Sequence, residues 1–373
     1  MNPGPTLRRC GGCFGFLLLA LQTAELQSAE SDASGPAPYP TGSHFQLVRK
    51  FYSVPDGLPA EEIRAVAVTR DGIVLVSAGK GVARLESERW VEQTGPAAVT
   101  ALFGPIQGPS GLAGATNGVW SLNNGQWQIE AGSPARVIAF AAEPDGTSWA
   151  LAPGGVWRRG DSWKLIHEVD DDQMKGPRSL LPTGPEDVFV ASATGLYGLM
   201  GKRKYWLDLE VRPGELLSTG TRALARLDRN HFFVATDKGL NLTDGQRGWH
   251  SFTGADGLPI LDLTGVAVAG DGTVWLGSND GLVRWEDGRW TYLASKRWLP
   301  DNHVTAIAPA AEGAVWVGTS KGLAHIHHRQ MTLADKAAIY QKDLESRDRR
   351  YGYVTIMHLP APGVLNGALQ EIS

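Results

Sequence analysis

The sequence predicts an all-β fold: a seven-bladed β-propeller closed by its own N-terminal strand, with a short C-terminal helical extension. Three positions kept in register carry the prediction. A glycine followed by Val or Leu recurs at Gly81, Gly118, Gly155, Gly195, Gly239, Gly281 and Gly322, at spacings of 37, 37, 40, 44, 42 and 41 residues. Six residues before each glycine stands an apolar residue: Leu75, Leu112, Trp149, Phe189, Phe233, Trp275 and Trp316. Eight to eleven residues after it comes a Trp in six of the seven copies, at Trp90, Trp127, Trp163, Trp206, Trp249 and Trp290. A period near 40 residues with four strands per copy is the signature of propeller blades.

The copy from Gly265 to Trp290 shows the unit most clearly. Val266–Ala269, Thr273–Leu276, Leu282–Trp285 and Arg289–Leu293 read as four strands. Asp271-Gly272, Asn279-Asp280-Gly281 and Asp287-Gly288 turn the chain between them, because glycine accepts φ > 0 without steric penalty. The apolar residue before each repeat glycine falls on the second strand, where a wide side chain fills the gap between neighbouring sheets. The Trp after it falls on the outermost strand and covers the blade's flank. The seventh copy lacks a fourth strand. The missing piece stands at the front: His44 to Tyr52 precedes Asp56-Gly57-Leu58-Pro59, as Trp249 to Phe252 precedes Asp256-Gly257-Leu258-Pro259. The N-terminal strand is therefore expected to complete the last blade and remove the free sheet edges, giving seven blades over residues 44–330.

Composition fits this reading: 46 Gly and 13 Trp in 373 residues suit many tight turns and many aromatic plugs. A net charge of −4 is too small to argue for nucleic acid or an anionic membrane surface. Residues 1–29 read as a secretory signal, with Arg8 and Arg9 before the apolar run Phe14–Leu21. That run is short for a membrane span, and no later stretch is long enough, so no membrane span is expected in the mature chain; a leader retained uncleaved as an anchor is the alternative. Residues 30–43 read as a flexible linker, and the expected location is secreted or periplasmic. Both cysteines, Cys10 and Cys13, fall in the leader, so the mature chain is expected to rely on core burial rather than disulfides.

The motif Asp-Gly-Leu-Pro, a short apolar strand, then Asp-Gly-x-x-Trp-x-Gly-[Ser/Thr]-x-x-Gly-[Leu/Val]-x-Arg resembles the propeller repeat of two-component-regulator sensors. Asp256 to Pro259, Asp271-Gly272, Trp275, Gly277-Ser278, Gly281-Leu282 and Arg284 match it nearly throughout. Trp316 to Thr319 with Gly322-Leu323 is almost as close, with Glu312 in place of Asp. The resemblance implies an extracytoplasmic ligand-binding module, often one that senses oligosaccharides. The chain has no kinase motif, so only the binding role carries over.

The blade geometry puts the loops from fourth to next first strand and the second-to-third turns on one face. Eleven residues before each second-strand apolar residue lies the start of an innermost strand: Arg64, Ile138, Arg178, Arg222, Thr264 and Thr305, with Thr100 in blade two. Lys80, Lys238 and Lys321 sit at second-to-third turn tips of the same face, and His303 at the mouth of the seventh inner strand. The candidate ligand-binding set is Arg64, Arg178, Arg222, Thr264, His303, Thr305, Lys238 and Lys321. Arginines converging on a channel mouth suit bidentate grip of a carboxylate or sulfate, which points to an acidic oligosaccharide or similar anion. The plainer alternative is that they are solvated or paired with Glu61, Glu62 and Asp262.

No metal, cofactor or catalytic residue is expected. Asp170-Asp171-Asp172 lacks calcium-loop spacing, and alternation turns His325 and His327 one way and His328 the other, which spoils a three-histidine site. The leading expectation is a non-enzymatic binding propeller with a small-molecule or oligosaccharide ligand. A polysaccharide or peptide lyase, with His303 as base, and a protein-docking scaffold remain as alternatives. Residues 331–373 form the extension. Thr332 with Asp335 suits a capping box, and Leu333, Ala337, Tyr340 and Leu344 form a helical stripe. The stripe either packs on the propeller or opens a further domain. Tyr351 to Leu359 reads as a strand.

Overall fold

The computed structural model describes residues 43–351 except 170, 171, 173, 201–205, 213 and 247. The leader, the linker, Cys10 and Cys13, most of the Asp170–Asp172 cluster and the stretch after Tyr351 lie outside the described residues.

Seven four-stranded antiparallel sheets form the blades. Blades one to six run Ile63–Gln93, Ala101–Ile129, Ala139–Glu168, Pro177–Leu209, Thr221–Phe252 and Leu263–Leu293, each a meander of consecutive strands. Blade seven joins Val304–Pro309, Val315–Thr319 and Gly322–Met331 to the N-terminal strand His44–Tyr52. That pairing runs from His44 opposite Met331 to Tyr52 opposite Leu323, so the predicted closure is present. The second strand of blade seven ends its pairing at Val315 opposite Ile326. The outer two strands therefore continue past it as a two-stranded ribbon over His44–Val48 and His327–Met331.

The second-strand residues are buried between blades, as their spacing predicts. Trp149 packs with Leu180 and Val188 of blade four, and Trp275 with Ile307 and Val315 of blade seven. The outer-strand tryptophans reach back to the preceding blade. Trp206 Nε1 donates to the Glu168 carbonyl of blade three at 2.9 Å, and Trp290 Nε1 to the Asp256 carbonyl at 3.0 Å. Trp90 of blade one lies edge-on to Tyr52 and Trp316 of blade seven, with centroids 5.8 and 5.9 Å away.

The repeat glycines are required for two different reasons. Gly239 has φ 134°, and a Cβ there would meet the Phe252 carbonyl oxygen at 2.5 Å. Gly155 has ordinary φ, but its Cβ would meet Leu165 Cδ1 at 2.4 Å and the His167 carbonyl at 2.7 Å. Gly239→Ala, which adds backbone strain to the clash, is expected to lower the unfolding free energy by about 2–4 kcal/mol. Gly272→Ala, at φ 87° in open space, is expected to lose about 1–2 kcal/mol from the backbone alone. Urea titrations of the two variants check the difference.

The C-terminal helix spans Leu333–Tyr351. Its start is the expected capping box: Thr332 Oγ1 accepts from Asp335 N, and the Asp335 carboxylate accepts from Thr332 N and Oγ1. The expectation that its stripe packs on the propeller is not met. Leu333 and Tyr340 are 51% and 59% exposed. The overhanging ribbon carries the helix past the end of the sheet, and Lys336 Nζ reaches only Gln46 Oε1, on the ribbon itself.

Candidate functional site

The first strand of each blade lines the channel, and five of the seven first strands begin in the same irregular way. The register between first and second strand slips at Arg64, Arg178, Arg222, Thr264 and Thr305. Such a bulge adds one unpaired residue and re-aims its side chain. These are the positions picked out by counting back from the second-strand residue. Thr100 and Ile138 occupy the place just before the first strands of blades two and three. The structure thus sets these side chains around one mouth of the channel.

Several of them link a blade to the next. Thr100 Oγ1 donates to the Val137 carbonyl at 2.6 Å, Arg178 Nη1 to the Thr221 carbonyl at 3.2 Å, and Thr264 Oγ1 to the Val304 carbonyl at 3.0 Å. The acceptors Val137, Thr221 and Val304 each stand one place before the corresponding position, Ile138, Arg222 or Thr305, of the next blade. The hydroxyl of Thr305 is buried with no hydrogen-bond partner among the described residues. A polar atom left so is unfavourable unless something else satisfies it.

The charged members differ in how far they are committed. Arg222 Nη2 is paired with Asp262 Oδ1 of the next blade at 3.0 Å. Lys321 Nζ is paired with Asp301 Oδ2 at 3.1 Å. Arg64, Lys238 and His303 are exposed. Arg178 and Arg222 stand on neighbouring blades, whereas Arg64 belongs to blade one on another part of the ring, so the three do not form a compact cluster. Asp301 emerges from the structure as an organiser of this mouth. Its carboxylate accepts from His303 N and Ser320 Oγ and pairs with Lys321, and these contacts hold its pKa down at about 2. An Asp three residues before a strand start is a legible turn signal, but nothing in the sequence says that three partners converge on it.

A cavity of 1340 Å³ lies in the other half of the channel. The distal ends of the first strands and the first-to-second turns line it, and none of the candidate ligand-binding residues does. His325 and His327 border it from blade seven. As alternation predicts, they face the same way, ring centroids 4.5 Å apart, and His325 stacks on Trp316 at 4.0 Å.

A two component regulator propeller repeat matches residues 299–321, which run from the connection after blade six into blade seven. No curated protein matches the sequence. Among solved structures, the chain resembles the extracellular domain of a B. thetaiotaomicron protein described as a hybrid two component system. The TM-score is 0.63 at 15% identity, over 75% of this chain and 41% of that one. It also resembles virginiamycin B lyase from Staphylococcus aureus, with TM-score 0.57 at 11% identity, over 76% of this chain and 99% of that one. The chain thus spans less than half the length of the sensor domain it matches, and at these identities the likeness is one of fold. Among the described residues no helix is long and apolar enough to cross a membrane.

Proposed function

We propose that the chain is an extracytoplasmic, sensor-type binding propeller that takes an anionic ligand, of the acidic oligosaccharide class, at the bulged mouth of its channel. The observation that carries this reading is the recurring bulge, which presents Arg64, Arg178, Arg222, Thr264 and Thr305 from a rigid ring. Guanidinium groups preorganised in this way bind oxyanions without a large ordering penalty. The regulator-propeller repeat and the extracellular sensor domain of similar fold support the sensor role and the location.

A lyase is less well supported by the geometry. His303 is exposed, and the carboxylate beside it is held well below the range of a general base by its three partners. Calorimetry with oligogalacturonates and their neutral reduced counterparts tests the binding role. Arg64→Ala and Arg178→Ala are each expected to weaken oligogalacturonate binding by about tenfold. Arg222→Ala is expected to weaken it less, because Asp262 already neutralises that charge. Equal heats from charged and neutral sugars, or none from either, would sink the proposal. Product formation that EDTA abolishes would favour the lyase.

A further inference from the structure

The channel has a second mouth, on the face where the chain joins and leaves the ring. The 1340 Å³ cavity behind it takes wall residues from all seven blades. This exceeds the roughly 300–1,000 Å³ of most small-molecule sites. Much of the wall is small or apolar, with Ala67, Phe103, Phe140, Ala141, Val268 and Ile307 among its residues. Phe103 and Phe140 stack with centroids 6.0 Å apart. Ile106, also in the wall, is 64% exposed.

Arg226 interrupts this wall, at the end of the first strand of blade five. It is half-buried, and its Nη2 donates to the Pro182 carbonyl of blade four. Among the described residues no carboxylate forms an ion pair with it. Burial pushes its pKa down, opposed in part by the charge of Glu143. Glu143 is itself buried and already accepts from Trp149 Nε1 and Arg158 Nε. That carboxylate is therefore already committed to Arg158. Of the other acids in the wall, Asp271 accepts from Thr273 N and feels Arg284, and Glu312 is exposed on blade seven. An arginine keeps its charge in such a place, and a partly desolvated charge without a counter-ion is unfavourable. An incoming anion relieves it.

Arg226 also borders a smaller recess of 510 Å³ between blades four and five. Arg229 and His231 line that recess together with Asp187 and Asp244. His231 is held by Asp228, with Nδ1 3.0 Å from Oδ2. The guanidinium thus stands where the apolar channel meets a polar annex.

We propose that this second mouth is a separate binding site for an amphiphilic carboxylate, with an aliphatic or aryl body along the channel wall and an oxyanion on Arg226. It is independent of the sugar site at the bulged mouth, with which it shares no residue.

The test uses the whole chain with anilinonaphthalene sulfonate, an aryl body bearing an oxyanion, as fluorescent probe. Saturable binding to the folded protein is expected, displaced by decanoate and not by decanol at the same concentration. Arg226→Gln is expected to weaken decanoate by about tenfold or more, Arg226→Lys to recover part of it, and Arg64→Ala, which weakens the sugar site, to leave decanoate affinity as it was. Arg226→Gln also removes a bond between blades, so Ala142→Phe, at a half-buried wall position outside the core clusters that leaves Arg226 in place, is the second variant. It is expected to abolish probe binding while thermal unfolding stays cooperative. Displacement by decanol as effective as by decanoate overturns the proposal. So does wild-type decanoate affinity in a folded Ala142→Phe protein.

Discussion

Trp316→Ala is expected to lower the unfolding free energy by about 3–5 kcal/mol, the range for truncating a buried Trp or Phe. Trp316 is 4% exposed. It lies 5.7 Å from Tyr52 on the N-terminal strand, 5.9 Å from Trp90 on blade one, and 4.0 Å from His325 on its own blade. The cavity left by its removal would open where the first and last parts of the chain meet, so the loss adds missing aromatic contacts to missing area. Trp127 offers the comparison. It is only partly buried on the outer strand of blade two, and Trp127→Ala is expected to lose about 1–2 kcal/mol. Urea unfolding of both variants checks the ordering. A loss at Trp316 no larger than at Trp127 would contradict the view that the closing seam is the most demanding part of the core.

The second large effect is acid lability at the same seam. Burial is the main cause that pushes His325 down to about 4, helped by the neighbouring His327 and by Lys50. His327 is lowered too, chiefly by burial, with Arg329 and His328 adding to it. A base whose folded pKa lies below its unfolded value near 6.5 holds fewer protons in the folded state. Its contribution is complete above about pH 6.5 and is lost as pH falls towards 4. For His325 alone that is up to about 3 kcal/mol. Unfolding midpoints measured from pH 7 to 4 are expected to fall steeply in the native protein. In His325→Phe, which keeps a ring against Trp316, the fall should be shallower. Parallel curves for the two proteins would place the acid sensitivity elsewhere.

The ring was legible because each blade repeats the same physical problem. A wide gap between sheets needs Trp149 or Trp275, and a crowded turn needs Gly155 or Gly239, so the solution recurs at a measurable period. Even the closing strand could be read, because His44 to Tyr52 precedes the same Asp-Gly-Leu-Pro turn as the outer strand of blade five. The bulges were not legible as such. Arg64, Arg178 and Arg222 were found by counting, but a slipped register leaves no trace in a pattern of alternating residues. The distal cavity was invisible for a different reason. Ala67, Ala141 and Val268 look like ordinary strand residues, and only the ring brings them to one space. Arg226 carried no signal either, since a single arginine at a strand end is most often solvated. For the helix, Leu333 and Tyr340 revealed a stripe, but a stripe does not say whether anything covers it.

The ribbon formed by His44–Val48 and His327–Met331 has a mechanical consequence. The N-terminal strand begins, and its partner ends, at the same end of their shared ladder. A pulling force between residues 44 and 331 therefore loads the hydrogen bonds one pair after another, in the manner of a zipper, rather than all at once in shear. A ring whose core resists heat at Trp316 would thus yield to modest tension at its ends, and it would come apart from the seam inward.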